Sequence, residues 1–238
     1  MQADDKQAIT TADMMEALTN LIEWNDTNLW IVLFIMPFNP FSWVVVGRWE
    51  YHTRSLTKFF GSKWIACYLN GAVILVLDCY RDMKIHELLA DQPKWSPLQN
   101  EFSLYIGYVI IAIGLVFTLS GWYQLGYTGV LQGDYFGIHK EERITAFPFN
   151  VLNDPLYVSF DIMALGLAFT NASFLGLLLA VYQTIIMHVT CLAENPFTTM
   201  IYVEKAKRDK AAADAKIQNG DKDVQANYNQ ATGLKQRG

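Results

Sequence analysis

Four stretches of the chain are long, apolar and almost free of charge: residues 29–46, 64–77, 104–119 and 162–189. Each of the first three approaches the roughly 20 residues that cross a bilayer once flanking aromatics are counted. The fourth is longer and is interrupted by Asn171-Ala172-Ser173. It predicts one long tilted span or a tight pair of shorter helices. Those three residues match a glycosylation sequon, but inside an apolar run they read as a turn. A polar, glycine-bracketed stretch separates the third and fourth runs: Gly133-Asp134-Tyr135-Phe136-Gly137-Ile138, then Arg143 to Asn150. Irregular polar backbone beside membrane helices is tolerated only where protein or a watery cavity satisfies its N–H and C=O groups. That stretch therefore marks a site.

The flanks fill in the plan. Residues 11–24 set Met14, Met15, Leu18, Leu21, Ile22 and Trp24 at helical spacing, with Glu16 and Asn20 between them. They predict a short amphipathic helix in the membrane interface. Pro37-Phe38-Asn39-Pro40 removes two ladder donors from the first run and is expected to bend or break its helix. Residues 48–63 read as a basic loop (Arg48, Arg54, Lys58, Lys63), solvated or touching anionic headgroups. Residues 91–100, with Pro93 and Pro97, read as a turn-rich connector. After Tyr202 the chain turns basic and then polar. That predicts a tail that starts helical and loses structure for want of apolar surface. Its basic start after a span favours a cytosolic C-terminus, but residues 48–63 are about as basic, so charge alone leaves the rest of the topology open. The organisation is an interfacial segment over 1–28, a membrane domain over 29–204 and a tail over 205–238. The fold class is all-α and polytopic, with about four transmembrane helices plus the N-terminal amphipathic helix.

Composition narrows the classes. Of 238 residues, 52% are hydrophobic and 17% charged, below the quarter charged that soluble domains carry. The net charge of −5 and the lack of a basic stripe argue against nucleic acid as a partner. The first residues lack the basic start of a cleaved signal peptide. Cys67, Cys79 and Cys191 lie in or beside apolar runs and imply no disulfide framework. The four histidines, His52, His86, His139 and His188, show no ligand spacing, so no metal is expected. Nor is there a glycine-rich dinucleotide fingerprint after a strand, which excludes the soluble doubly wound methyltransferase fold.

Ordered blocks through residues 29–205 resemble the phospholipid N-methyltransferases, small membrane enzymes that make phosphatidylcholine. The blocks are Phe38-Asn39-Pro40-Phe41-Ser42-Trp43, Arg48-Trp49-Glu50-Tyr51-His52 and Ala66-Cys67-Tyr68, followed by Gly133-Asp134-Tyr135-Phe136-Gly137-Ile138. Phe147-Pro148-Phe149-Asn150, Pro155-Leu156-Tyr157 and Glu194-Asn195-Pro196-Phe197-Thr198 complete them. The resemblance implies S-adenosylmethionine as methyl donor. Its contacts would be Ala112, Ile113 and Gly114, standing at the family's Gly-x-Gly, and Glu194 and Asn195, standing at its Glu-Glu. Pro148, Asn150 and Tyr157 join them. Ala112, Asn195 and Ser159 depart from the family pattern. Asn195 drops a charge near the sulfonium but keeps hydrogen-bonding capacity.

For the acceptor, the resemblance implies phospholipid contacts at Gly133, Tyr135, Phe136, Arg143 and Asn39. Asp134 and His139 are the candidate bases, since an ammonium must lose its proton before it can attack a methyl group. Asp134 equally suits a turn cap beside Gly133. Arg143 suits a grip on lipid phosphate or an interfacial anchor, and the aromatics suit cation–π contact or a membrane belt. The expected activity is N-methylation of phosphatidylethanolamine and its mono- and dimethyl forms. It is set in the endoplasmic reticulum, including membrane apposed to mitochondria, with a homo-oligomer allowed. Two rival readings are a non-catalytic lipid-sensing or scaffolding protein of the same fold and an isoprenylcysteine carboxyl methyltransferase.

Overall fold

The computed structural model of the chain describes residues 20–140 and 144–232, with side chains as far as residue 215. Of the amphipathic stretch expected over residues 11–24, residues 11–19 lie outside the described residues, and 20–26 form turns. Helix α1, Thr27–Thr53, opens on Asp26, whose carboxylate accepts from the Asn28 N–H at 2.8 Å.

It does not break at Pro37 and Pro40, both of which lie inside it. Pro37 cannot donate to the carbonyl of Leu33, four residues earlier. The Tyr182 hydroxyl donates to that carbonyl instead, at 3.1 Å. A neighbouring helix thus supplies the donor that the ring withholds, as membrane helices commonly require.

Residues 48–63 are not a loop. α1 runs on through Arg48 to Thr53, and a short helix α2, Ser55–Phe60, follows directly. The fully buried Glu50 carboxylate accepts from the Leu56 N–H (2.7 Å), the Thr57 N–H (3.2 Å) and the Thr57 hydroxyl. A buried anion at the orphan N–H groups of α2 is what folds this basic stretch back. Helix α3, Lys63–Asp91, then returns antiparallel to α1. The connector is turn-rich as expected, with a 3-10 turn at Ser96–Leu98.

Helix α4, Glu101–Val130, is capped by the Asn100 side chain and turns sharply at Gly126, φ 65° and ψ 174°. It packs along helix α5, Pro155–Thr170. Gly107, Gly114 and Gly121, seven residues apart, form the seam. A Cβ there would lie 2.7 Å from Thr170, 2.5 Å from Met163 and 2.7 Å from Leu156. Small residues at this spacing let two membrane helices approach closely where dispersion is the main attraction. Thr118 and Ser159 add a hydroxyl pair across the seam at 2.8 Å.

The interrupted fourth run is a pair of helices. α5 ends at Thr170, residues 171–173 turn with Ala172 at φ 47°, and helix α6, Phe174–Thr232, begins. An isolated bridge, Lys94 with Ser173, ties this turn to the connector. The tail expected to lose structure is helical through Thr232.

Among the described residues, four helices are long and apolar enough to cross a membrane, and α5, with 16 residues, is a shorter apolar one. The helices alternate up and down. One end carries the α1–α2–α3 bend and residues 131–154; the other carries the connector and the 171–173 turn. The chain divides into two compact units, one up to Ala193 and one from Glu194 on. Among the described residues, two apolar clusters lie in the first. One, near the start of α1, joins Leu29, Val32, Met36, Leu88, Leu179 and Met187. The other, near its end, joins Trp43, Val44, Ile74 and Leu131.

Candidate functional site

The polar stretch after α4 folds into consecutive tight turns. The Gly133 N–H donates to the Thr128 carbonyl at 2.6 Å, and the Gly133 carbonyl accepts from Phe136 and Ile138. A Cβ on Gly133 would sit 2.7 Å from that Thr128 oxygen, and Gly137 holds φ 76°. Side chains are therefore disfavoured at both positions, by crowding at one and by backbone angle at the other.

Three neighbouring elements clamp the turns. Arg54, at the α1–α2 junction, donates to the Tyr135 carbonyl at 2.9 Å. Lys63, at the head of α3, donates to the Gly137 carbonyl at 3.1 Å. Lys140 reaches back to the Gln124 carbonyl at 3.1 Å. Tyr135 and Phe136 are buried, and Gly47 of α1 lies close enough to Tyr135 that a Cβ there would be 3.0 Å from its ring.

Asp134 is the partly buried carboxylate at the centre of this knot. Burial pushes its pKa up to about 6, while the backbone N–H groups of Asp134 and Tyr135 pull the other way. A carboxylate held near neutrality in a clamped turn is suited to taking a proton from a cation.

The other expected residues lie on several elements. His139 follows the turn and is partly buried, and Arg143 lies outside the described residues. Pro148 is fully buried behind a cis Phe147–Pro148 bond, Asn150 is exposed, and Tyr157 packs partly buried against both apolar clusters. Glu194 and Asn195 lie in the second unit.

Gly114 stands 16 residues from the end of α4, about 24 Å along the helix. It is closed off by Met163, and Ala112 and Ile113 face outward, exposed. Residues 112–114 thus divide between a helix seam at Gly114 and an outward face at Ala112 and Ile113.

Asn39 belongs to a different region. It is buried in α1 and donates to Asp78 Oδ1 of α3 at 3.2 Å. The same oxygen accepts from Arg81 at 2.9 Å, and Arg81 also donates to Asp82 through Nε and Nη2. Sequence reasoning missed this cluster because it closed the second apolar run at Leu77. The available signal was Asp78, Arg81 and Asp82 continuing that run directly, since ionisable residues in a membrane helix are expensive and mark sites.

Comparison with known proteins bears on the whole arrangement. The family model for phospholipid methyltransferase matches residues 102–205. The phosphatidylethanolamine N-methyltransferase of Rattus norvegicus is 41% identical over 194 residues, 82% of this chain and 98% of that protein. That of Mus musculus is 46% identical over 171 residues, 72% of this chain and 86% of that protein. The phosphatidyl-N-methylethanolamine N-methyltransferase of Saccharomyces cerevisiae is 36% identical over 199 residues, 84% of this chain and 95% of that protein. No solved structure matches the chain.

Proposed function

The chain belongs to the phospholipid methyltransferase family, and we propose that it methylates the amine of phosphatidylethanolamine and of its mono- and dimethyl forms, with S-adenosylmethionine as donor and phosphatidylcholine as end product. The rat and mouse relatives are named as phosphatidylethanolamine enzymes, which supports action from the first step. Asp134, in its clamped turn, is the observation that carries the mechanism.

A lipid ammonium has a pKa of roughly 10, so about one in a thousand is neutral at pH 7, a cost of about 4–5 kcal/mol. An ordinary carboxylate is a poor acceptor for that proton. Raising Asp134 from 3.8 to about 6 brings donor and acceptor closer by about 3 kcal/mol. The remaining gap narrows when the ammonium itself leaves water. Tyr135 and Phe136 wall the turn and help exclude solvent, while Arg54 and Lys63 hold its backbone in place. The methyl donor supplies an electrophilic carbon. The side chains of the turn hold the acceptor and take its proton.

Orientation follows from charge. Arg48, Arg54, Lys58, Lys63 and Lys140 gather at the turn end, against Lys84, Lys94 and the buried Arg81 towards the other. That imbalance supports a cytosolic turn end, where a water-soluble donor is at hand. An endoplasmic reticulum setting accords with phospholipid synthesis. Purified protein in vesicles, given labelled S-adenosylmethionine and each of the three amine lipids in turn, is expected to label all three. Absence of label in every one overturns the reading.

A further inference from the structure

Far from the turn, the first unit contains a cavity of about 270 Å³. Helices α1, α3, α4, α5 and α6 all contribute to the wall, with Met36 from α1, Ile85 from α3, Ile111 from α4, Met163 from α5 and Leu179 from α6. The wall is mostly apolar, but Arg81, Asp82, His86 and Gln183 also line it.

The cavity is open at one side. α3 and α4 meet near the turn end, where the Tyr127 hydroxyl donates to the Tyr68 carbonyl and the two rings lie 5.1 Å apart. Lower down, Ile85 and Ile111 line the cavity from those same two helices. Asp82 and His86 are exposed residues on its α3 wall. The opening is therefore a lateral cleft between α3 and the α4–α5 pair.

Its depth is set by Lys84, which bonds Asn28 at the very start of α1, at 3.3 Å. Arg81 is three residues deeper along the helix, about 4.5 Å. The cleft thus begins near the level of lipid headgroups in one leaflet and runs inward among apolar side chains. Along α3, Arg81 lies 14 residues beyond Cys67, whose thiol meets the Leu131 carbonyl beside the turn. That is about 21 Å of helix, so the cleft is in the opposite half of the membrane from Asp134.

Hydrogen-bonding capacity is left over here. Arg81 has five N–H groups, and three are engaged, by Asp78 and Asp82. Gln183 is 5% exposed, lines the cavity and carries no hydrogen bond among the described residues. Asn39 Oδ1, buried, is likewise without a partner among the described residues. Unspent polar groups this deep usually meet a ligand or water. The charges also have a pattern, a guanidinium with free N–H groups beside a half-exposed carboxylate. Its complement is an anion and a cation a few atoms apart.

We propose that the cleft between α3 and the α4–α5 pair is a second lipid site, holding a zwitterionic phospholipid of the leaflet opposite the 133–137 turn. The phosphate meets Arg81 and the Gln183 amide, the cationic nitrogen meets Asp82, and an acyl chain lies along Ile111, Met163 and Leu179.

The test needs no methyl donor, so it is independent of turnover. The full chain is placed in phosphatidylcholine nanodiscs with a trace of a diazirine phospholipid, bearing either a phosphoethanolamine or a phosphoglycerol head. After irradiation, labelled peptides are mapped. The phosphoethanolamine probe is expected to label α3 and α5 at the cleft about fivefold above the phosphoglycerol probe, the upper worth of one partly exposed ion pair. Asp82→Asn should erase that preference, and Ala164→Phe, which fills the cleft, should remove the label. Equal labelling by the two probes in the unaltered protein, or a preference for the acidic one, overturns the proposal whether or not the variants fold. So does undiminished label in a folded Ala164→Phe protein.

Discussion

The two polar regions of this membrane domain spend their hydrogen bonds in opposite ways. At the turn end, Arg54, Lys63 and Lys140 direct their charges at carbonyls of the chain itself, which fixes the backbone around Asp134. In the cleft, Arg81 and Gln183 keep part of their capacity in reserve. The first arrangement suits a reaction, where a base must stand still relative to its substrate. The second suits reversible occupancy, where groups must be available to a molecule that comes and goes. If the contrast is right, changes at the turn should cost activity steeply, and changes in the cleft should shift lipid preference while leaving the fold intact.

The steepest effect is expected at Asp134. Asp134→Asn should lower methyl transfer by about 10²–10⁴-fold, the usual contribution of a general base. In the unaltered protein kcat/KM should rise as pH passes through about 6 and then level off. Stability should move the other way. A carboxyl whose folded pKa is raised by burial holds its proton more tightly when folded, so its contribution declines as pH climbs from about 4 through 6. The asparagine variant should therefore melt higher than the parent at pH 7 and lose that advantage near pH 4, as read by thermal unfolding in detergent. An asparagine variant that keeps full activity would break the comparison outright.

Arg54→Gln comes next. Losing a charge-assisted bond to the Tyr135 carbonyl costs about 1.5–3 kcal/mol, to be seen as a fall in kcat greater than any rise in the KM for lipid. Gly114→Val tests the seam, where a side chain runs into Met163. Overpacking of this kind costs about 1–3 kcal/mol, and a second change, Met163→Ala, should restore part of it without altering the KM for the methyl donor. A raised donor KM that persists in the double variant would return Gly114 to the donor site. The smallest effect is expected from Asp82→Asn, whose half-exposed ion pair is worth under about 1 kcal/mol in stability. Its melting temperature should hardly change, even as the lipid probes cease to be distinguished.

The sequence declared its spans clearly, because four apolar runs of that length have few alternatives. The turn at residues 171–173 and the special backbone at Gly133 and Gly137 were legible for the same local reasons. What it did not declare was long-range satisfaction. Two prolines in α1 read as a bend or a break, since nothing nearby in the chain shows that Tyr182 will reach Leu33. Residues 48–63 read as a loop, since the fold-back depends on a carboxylate at Glu50 being buried under Leu56 and Thr57. Gly114 fits a ligand contact and a helix seam equally well by type, and nothing nearby in the chain shows that Met163 will pack on it. The Asp78–Arg81–Asp82 cluster was visible as letters, yet its partner Asn39 comes from a helix position 39 residues away.

The Tyr182–Leu33 contact also orders events in time. Of the described membrane helices, α1 leaves the ribosome first, with a carbonyl that its own backbone cannot answer. The hydroxyl that answers it arrives on α6, last of the membrane helices to be made. The opening helix thus waits, incompletely bonded in lipid, for the closing one, and the bundle is latched only once the whole membrane domain has been synthesised.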